Sequence, residues 1–288
     1  AQTRTAPKSG SPLPLCLNAA TIRGYKLPID QQVDLTAKTG YDAMEPWVRD
    51  IQEYQGKGGS LADLRKRIAD AGLTVESGIA FSPWIVDDEA KRKAAIEQLK
   101  REMDVLAQIG GKRIAAPPSG ATREPGLDLN AAAERYRTIL ELGEQMGVIP
   151  QIEVWGFSRN LHRLGQSMYV VIESGHPKAC LLPDFYHIYK GGSSFEGLRH
   201  VSPDTVQVFH MNDYPDIPRE KINDSDRVLP GEGVAPLPRL IRMLADNGVR
   251  PVYSLEIFNR DYWQKYDAPT LARMGLESMK AAVEKAMA

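Results

Sequence analysis

The sequence lacks the features that would place the chain in several common protein classes. No apolar run approaches the roughly 18–20 residues that a membrane-spanning helix requires. Only two cysteines, Cys16 and Cys180, occur among 288 residues, so no disulfide framework is indicated and we expect both thiols to be reduced and buried. With 36 basic and 37 acidic residues, a net charge of −1 and no block of one sign, nucleic acid and anionic membranes are disfavoured as partners.

A glycine-rich dinucleotide-binding fingerprint is also missing, since the Gly-Gly pairs at 58–59, 110–111 and 191–192 are typical of helix ends and loops. What the chain contains instead is an alternation of short apolar segments with helical patterns. We count eight strand-then-helix units with no interior boundary. They predict a single (β/α)8 TIM barrel over residues 13–288, in which the first strand, Leu13–Asn18, pairs with the last, Val252–Glu256. An open, doubly wound sheet is the alternative.

The first residues carry no such pattern. Residues 1–12 are polar and lack apolar periodicity, so we predict a disordered N-terminal tail. The chain begins with Ala1, which fits a trimmed chain as well as a mature form after signal removal. Both a periplasmic or secreted location and a cytoplasmic one therefore stay open.

The segment Val148–Trp155 is the one around which the functional interpretation is built. Its apolar and β-branched residues predict a buried strand, yet Glu153 lies near its end, where a carboxylate needs a compensating cation or hydrogen bonds. Three later predicted strands also end in metal-ligand residue types, namely Asp184, His210 and Glu256. Because the carboxyl ends of barrel strands form the active-site rim, we expect these four side chains to converge.

The alternation of side chains along a strand supports this convergence. Residues two positions before a ligand type share its side of the strand, which places Gln151, Val208 and Ser254 in the barrel interior. The intervening bulky residues then face the surrounding helices, and they are Ile152, Phe209 and Leu255. The ligand types thus fall on one side of the strands and the large apolar residues on the other.

Two Glu, one Asp and one His form an oxygen-rich set of ligands. Such a set suits Mn²⁺, Mg²⁺ or Co²⁺, and Zn²⁺ also fits. Three clustered carboxylates repel one another unless a cation is present. Taken singly, an acidic residue at a strand end is more often a helix cap or an ion-pair partner than a metal ligand. A lone histidine is more often a hydrogen-bonded core residue. The joint pattern of Glu153, Asp184, His210 and Glu256 is what predicts one divalent metal ion.

Short motifs run along nearly the whole chain after the tail: Gly40–Trp47, Gln151–Gly156, Asp184–His187, Phe209–Asp213, Asp226–Gly233 and Ser254–Glu256. Together they resemble the sugar isomerase/epimerase superfamily with a xylose-isomerase-like barrel, which includes ketose 3-epimerases, inosose dehydratases and hydroxypyruvate isomerases. The resemblance implies that the four strand-end residues bind one divalent metal ion. It also implies that Glu153 and Glu256 act as the acid/base pair.

The same resemblance places His187 and Arg227 against substrate oxygens. It implies isomerisation or epimerisation of a keto-sugar or sugar derivative through a metal-stabilised enediolate, with the two glutamates moving the proton. The alternative is a lyase or dehydratase that acts on a keto-sugar, a 3-keto-glycoside or a keto-inositol. Such an enzyme uses the same enolate but expels a leaving group from the neighbouring carbon.

Three further residues are candidate substrate contacts. Glu45 and Trp155 belong to the motifs at the second and fifth predicted strands. Arg159 stands where the ketose epimerases of the superfamily carry a second Glu, six residues after the first. Together with Arg227 it could hold an anionic group, and a surface salt bridge is an equal alternative. The loop from Asn212 to Asp226 is longer than in those enzymes, which predicts a reshaped lid.

Two other functions are compatible with a metal site in a barrel. An abasic-site endonuclease needs additional ligands from the third and fourth strands, yet the predicted strands Leu73–Ala80 and Lys112–Ala116 end without histidine. A non-catalytic sugar-binding barrel would bind metal or sugar without exchanging a substrate proton. We expect a small carbohydrate as the partner and neither nucleic acid nor a membrane, and a homo-oligomer stays open.

Overall fold

A computed structural model describes residues 6–288, and their strands alternate with helices as the sequence predicts. The strands are Leu15–Asn18 (β1), Ala43–Glu45 (β2), Thr74–Val75 (β3), Arg113–Ala116 (β4), Ile149–Glu153 (β5), Leu181–Leu182 (β6), Val208–Met211 (β7) and Val252–Leu255 (β8). The α-helices are Ile29–Thr39 (α1), Val48–Gly56 (α2), Leu61–Asp70 (α3), Glu89–Gln108 (α4), Leu129–Met146 (α5), Leu164–Glu173 (α6), Phe185–Gly191 (α7), Leu237–Asp246 (α8), Arg260–Lys265 (α9) and Ala268–Met287 (α10). Short 3₁₀ helices lie at Ala19–Tyr25, Phe195–His200 and Asp224–Asp226.

All neighbouring strands are parallel, in the orders β3-β2-β1-β8-β7 and β4-β5-β6. Isolated parallel bridges join the two groups at both seams, between Gly78 and Ile114 on one side and between Asp184 and His210 on the other. The first strand lies beside the last, as predicted. Parallel strands in this circular order, with helices between them, form a (β/α)8 TIM barrel, and the predicted fold class is confirmed.

The main hydrophobic core lies between the strands and the helices. Ile152, Phe209 and Leu255 belong to it, as the predicted alternation requires. On the other side of the strands, Gln151 donates to the hydroxyl of Ser77 at 3.1 Å, and the hydroxyl of Ser254 donates to Glu45 at 2.8 Å. The barrel interior therefore contains hydrogen-bonded polar side chains, which can support charged groups at the rim.

The third strand is shorter than predicted. Of the predicted strand Leu73–Ala80, only Thr74–Val75 forms a regular ladder with β2. The carboxylate of Glu76 turns to Lys112, which donates to it at 2.7 Å across the seam between β3 and β4. Backbone pairing then resumes as single bridges at Gly78 and Ile79, so this part of the barrel wall is joined by few ladder hydrogen bonds.

The loop after β5 packs tightly on α7. A Cβ atom on Gly156 would lie 2.5 Å from the carbonyl oxygen of His187, and one on Gly191 would lie 1.8 Å from the carbonyl oxygen of His162. Only glycine allows the two backbones to approach this closely. The close approach fixes His187 next to the end of β5, because the backbone N–H of Gly156 also donates to Nδ1 of His187 at 3.1 Å.

The predicted N-terminal tail, residues 1–12, lies partly outside the described residues, which begin at residue 6. Within the described part, Nζ of Lys8 donates to the carbonyl oxygen of Ala71 at 2.8 Å. The backbone N–H and the hydroxyl of Ser9 donate to the carboxylate of Asp42 at 2.8 and 2.6 Å. Residues 8 and 9 therefore contact the barrel instead of extending away from it.

Both cysteines are free and buried, as the sequence predicts. Burial raises the pKa of the Cys180 thiol to about 11, and it raises the pKa of the Cys16 thiol well above its ordinary value. Among residues 6–288, no helix combines the length and the apolar character that crossing a membrane would require.

Candidate metal-binding active site

The carboxyl ends of β5 to β8 bring the four predicted ligands together. Glu153 ends β5, His210 lies within β7, Glu256 directly follows β8, and Asp184 lies two residues after the end of β6. None of the four side chains is more than 4% exposed. A set of buried ionisable groups at a barrel rim is a strong indication of function, because burying such groups costs free energy.

Nδ1 of His210 lies at the centre of this cluster. The distance from Nδ1 to the nearest carboxylate oxygen is 3.2 Å for Glu256, 3.7 Å for Asp184 and 4.0 Å for Glu153. Candidate ligand atoms of Glu153, His210 and Glu256 all lie within 4.8 Å of one another. A second such group consists of Asp184, His187 and Glu256, so Glu256 belongs to both.

Two of the polar atoms at this point have no hydrogen bond to any described residue. They are Nδ1 of His210 and Oε2 of Glu153, and both are buried. Buried polar atoms are normally paired, and an ion is one of the explanations for an unpaired one. The unpaired atoms, the three carboxylates and the single imidazole fit a divalent cation held by protein oxygens and one nitrogen.

Glu45 supports His210 from the opposite side of its ring. The carboxylate oxygen Oε1 of Glu45 lies 2.9 Å from Nε2 of His210, and it also accepts hydrogen bonds from Asn18 at 2.7 Å and from Ser254 at 2.8 Å. A carboxylate next to Nε2 fixes the proton on that nitrogen and leaves Nδ1 free as a ligand. Nδ1 is thereby oriented towards Glu153, Asp184 and Glu256.

Asp184 has its own support. The side-chain amide of Asn212 donates to both of its carboxylate oxygens, at 3.1 and 3.2 Å. Oδ1 also accepts from the backbone N–H of His187 at 2.9 Å, so the side chain caps α7. The short Asp–x–x–His motif therefore places the aspartate and the histidine at the start of the same helix.

Arg227 brings a positive charge to the acidic cluster. Its Nη1 donates to Glu256 at 2.9 Å and to Asp184 at 3.2 Å, and its Nη2 lies 2.9 Å from Nε2 of His187. The guanidinium carbon is 4.3 Å from the ring centre of Tyr186. The side chain is 1% exposed, and these contacts offset the free-energy cost of burying its positive charge.

The pKa values reflect an excess of negative charge. Burial and the neighbouring Glu256 carboxylate raise the pKa of Glu153 to about 8. Burial alone would lower the pKa of His210, but the carboxylates of Glu256 and Glu45 outweigh it and raise this pKa well above its ordinary value. Burial likewise opposes ionisation of Asp184, yet the Arg227 cation holds the pKa of that carboxyl well below its usual range. An added cation would relieve this repulsion.

The sequence and the architecture match known proteins. The family model described as "Xylose isomerase-like TIM barrel" matches residues 33–282 of the chain. The chain belongs to this family. Inosose isomerase from Bacillus velezensis is 27% identical over 275 residues, which cover 94% of this chain and 97% of that protein. The 3-dehydroshikimate dehydratase of Pseudomonas putida is 21% identical over 80% of this chain and 36% of its own length.

Solved structures agree with the family assignment. The crystal structure of the IOLI protein with a bound zinc atom superposes with a TM-score of 0.84 and covers 95% of this chain and 99% of that one, at 24% identity. At this identity the likeness establishes the fold alone. It confirms the TIM-barrel fold.

As in other barrels, the rim of this xylose isomerase-like chain surrounds a cavity, here of about 730 Å³. Glu153 and Glu256 line its floor, and the predicted substrate contacts Trp155, His187 and Arg227 line its walls. The loop between β7 and α8 contributes Asn223, Asp224 and Ser225 to one side. This long loop therefore forms part of the cavity wall, in the position where a reshaped lid is predicted.

Two of the predicted substrate contacts lie elsewhere. Glu45 is fully buried behind His210 and does not line the cavity, because its carboxylate is used by Asn18, Ser254 and the histidine. Arg159 is exposed, and its backbone N–H donates to Thr122 at 2.9 Å. It does not line the cavity, so the structure does not place it with Arg227.

Other residues of the site were not assigned from sequence. Asn212 lies in the motif that contains His210, and its position two residues after a ligand is the one available signal for its contact with Asp184. Phe81, Phe157 and Phe258 line the cavity beyond the strand ends. Each follows a predicted strand by only a few residues, which is the signal that could have indicated a place at the rim.

Proposed function

We propose that this chain is a divalent-metal-dependent isomerase or epimerase that acts on a keto-sugar or a related cyclic hydroxy-ketone. One observation carries the proposal: Glu153, Asp184, His210 and Glu256 converge on a single buried point, with Nδ1 of His210 unpaired at its centre. The name of the relative from Bacillus velezensis, inosose isomerase, supports this class of substrate.

The four residues would hold one ion of the Mn²⁺, Mg²⁺, Co²⁺ or Zn²⁺ class. The zinc atom in the similar IOLI structure supports the proposal that this chain binds a divalent ion. When bound, such an ion stabilises the negative charge that develops on substrate oxygens after a neighbouring carbon loses its proton. The remaining steps depend on the side chains of the chain itself.

Glu153 and Glu256 are the candidate acid/base pair. They come from β5 and β8, on the two sides of the arc formed by Asp184 and His210, and both line the floor of the cavity. One carboxylate removes a proton from the carbon next to the carbonyl, and the other returns a proton to that carbon or its neighbour. Return from the opposite face gives an epimer, and return to the neighbouring carbon gives an isomer.

His187 and Arg227 are the candidate orienting groups. They contact each other at 2.9 Å and both face the cavity, and Arg227 is fixed by Asp184 and Glu256. Burial lowers the pKa of His187, which favours the neutral ring, and because Nδ1 accepts from Gly156, Nε2 is the nitrogen left for a substrate hydroxyl beside Arg227. Together they hold substrate oxygens in a fixed orientation above the two glutamates.

A lyase or dehydratase is the second candidate, and the similarity to 3-dehydroshikimate dehydratase favours it. The same proton removal by Glu153 or Glu256 would start the reaction. A hydroxyl or alkoxyl group on the next carbon would then leave, and the proton it takes would come from the second carboxyl group. The two candidate functions therefore use the same catalytic residues. They differ in what happens to the carbanion after the proton is removed.

Incubation of the metal-loaded chain in D₂O with ketoses, inososes and 3-keto-glycosides, followed by NMR, separates these functions. Deuterium at the α-carbon together with an epimer or isomer supports the isomerase. An unsaturated product identifies a lyase. Absence of exchange with every substrate, while sugars still bind, would leave a non-catalytic binding barrel. Chain stripped of metal by a chelator and chain carrying Glu134→Gln, an exposed position on α5, serve as controls.

A further inference from the structure

Aromatic rings form a continuous arc around one side of the cavity mouth. The ring centres are 6.5 Å apart between Phe258 and Trp47, 5.1 Å between Trp47 and Phe81, 6.1 Å between Phe81 and Trp155, and 5.1 Å between Trp155 and Phe157. We call these five residues the aromatic arc. They follow β8, β2, β3 and β5, so four different parts of the barrel each supply rings to the same wall.

The arc is partly open to solvent, whereas the residues below it are not. Phe81 is 41% exposed and Phe157 is 46% exposed, although both line the cavity. Single exposed apolar residues need no explanation, but a contiguous group in a concave site indicates a binding surface. The difference in exposure places Phe81 and Phe157 at the mouth and the buried carboxylates of Glu153 and Glu256 deeper in the cavity.

The arc is connected to the candidate catalytic groups. The ring centre of Phe157 lies 6.0 Å from that of His187, which in turn contacts Arg227. A molecule whose oxygens reach Arg227 would thus extend past His187 onto the arc. Asn223, Asp224 and Arg260 also line the cavity, so polar and charged side chains border it beside the rings.

The size of the cavity agrees with an extended ligand. Its volume of about 730 Å³ lies in the upper part of the roughly 300–1,000 Å³ range of small-molecule sites. A single sugar ring held by Glu153 and Glu256 would fill only part of this volume. A second ring with an apolar face would stack on the arc, since aromatic faces bind the flat faces of other rings.

We propose that the substrate has two rings, and that it is a glycoside rather than a free monosaccharide. Its oxidised sugar ring reaches Glu153 and Glu256, and its second ring lies on Phe81 and Phe157. The second ring is either another sugar or an aryl group, because both present a flat apolar face. This inference rests on the proposed function for the identity of the oxidised ring, while the stacking stands on the arc alone.

Unreactive ligands test the stacking without any turnover. Dissociation constants for methyl β-glucoside, phenyl β-glucoside and methyl β-cellobioside are measured by calorimetry on the metal-loaded full chain. At least one two-ring ligand should bind more tightly than methyl β-glucoside, and whether it is the phenyl or the cellobiosyl compound identifies the second ring. Equal affinity for all three would overturn the proposal.

Substitution of the exposed rings locates the effect. Phe81→Ala and Phe157→Ala should each weaken the two-ring ligand about threefold to tenfold more than they weaken methyl β-glucoside. Phe157→Leu keeps apolar bulk without the ring face and should weaken it as well. Tyr169→Ala is the matched control, because Tyr169 is 39% exposed and lies on α6 outside the cavity.

Further outcomes separate this inference from the proposed function. One outcome would overturn the glycoside proposal and keep the isomerase proposal. In it, the chain exchanges deuterium with free ketoses, Phe81→Ala and Phe157→Ala do not change this exchange, and two-ring ligands bind no more tightly than one-ring ligands. Tight binding of a two-ring ligand without deuterium exchange would support stacking on the aromatic arc and contradict the isomerase proposal. A change from dimer to monomer in the two variants would show that a second copy covers the arc, and it would overturn the proposal.

Discussion

The two halves of the barrel use the same position, the carboxyl end of a strand, for different purposes. In the half formed by β5 to β8, the strand ends carry the candidate ligands, such as Glu153 and His210. In the half formed by β1 to β4, the corresponding region carries Asn18 and Glu45, which hydrogen bond to each other at 2.7 Å, followed by aromatic side chains. One half carries the candidate ligands, and a residue of the other half, Glu45, holds one of them, His210, in place.

Glu45 shows how the halves depend on each other. It ends β2, yet its carboxylate lies 2.9 Å from Nε2 of His210 on β7. The charge and the orientation of a ligand in one half are therefore set by a residue in the other. We call β5 to β8 the ligand half and β1 to β4 the supporting half. Loss of a single functional atom in the ligand half should strongly lower activity, and substitutions in the supporting half should have smaller and more indirect effects.

The largest effect is expected for the ligand half. Glu153→Gln and Glu256→Gln keep an oxygen donor and the side-chain shape but remove the base. Each should lower turnover about 10²- to 10⁴-fold, with further loss where metal binding weakens. Steady-state kinetics, with bound metal determined by elemental analysis, measure both effects. If both variants kept full turnover with metal bound, neither glutamate would be the base, and His187 would be the next candidate.

A backbone contact in the ligand half comes next. Gly156→Ala would place a Cβ 2.5 Å from the carbonyl oxygen of His187 and 2.7 Å from the backbone nitrogen of Gly191. We expect a loss of about 1–3 kcal/mol in the free energy of unfolding, because neither backbone atom can move freely. Urea denaturation measures this loss. Gly165→Ala is the matched control in α6, where nothing lies within 4 Å, and it should not destabilise the chain.

The supporting half should respond more weakly at Glu45. Glu45→Gln removes the negative charge behind Nε2 of His210 and should lower metal affinity about 10- to 100-fold. Metal titration followed by calorimetry measures the affinity. Ser254→Ala is the control, because it removes another hydrogen bond to the same Oε1 and leaves the contact with His210 in place. An equal effect of both variants would contradict a specific role of the carboxylate.

The smallest effect is expected at the seam between β3 and β4. Burial tends to raise the pKa of Glu76, but its hydrogen bond and ion pair with Lys112 outweigh burial and hold the pKa below its ordinary value of 4.5. A carboxylate with a depressed pKa stabilises the fold above the unfolded pKa, and this contribution disappears as the pH falls through the folded pKa. Glu76→Gln should therefore cost less than about 1 kcal/mol at pH 7 and nothing at strongly acidic pH. A loss of stability that does not change with pH would contradict this assignment.

The ligand half could be predicted from sequence because its signal is local. A buried parallel strand is a run of apolar residues, so a single acid or histidine at its end, as at Glu153 and His210, stands out. Alternation along the strand then determines which side it faces, and the packing of Ile152 and Phe209 in the outer core agrees. The order of the strands, with β1 beside β8, follows from counting eight units.

The supporting contacts could not be predicted because they join distant parts of the chain. Glu45 and His210 are 165 positions apart, and no local pattern specifies that one side chain will reach the other. Glu45 was expected at the substrate, where a strand-end acid is typical, but the tertiary structure directs it inward. The short β3 was also not foreseen, since the apolar pattern of Leu73–Ala80 continues past the point where regular pairing stops at Val75.

The two buried cysteines have a practical consequence for watching this protein at work. Cys16 and Cys180 are the two thiols of the sequence, both are inaccessible, and both keep their protons at neutral pH. A cysteine introduced by Ser225→Cys, at an exposed position on the loop that borders the cavity, would thus react alone with a thiol-specific fluorophore. Trp155, which also lines the cavity, is a natural quencher, so the emission of that dye would report changes in the distance between the loop and the end of β5 as ligand arrives and leaves.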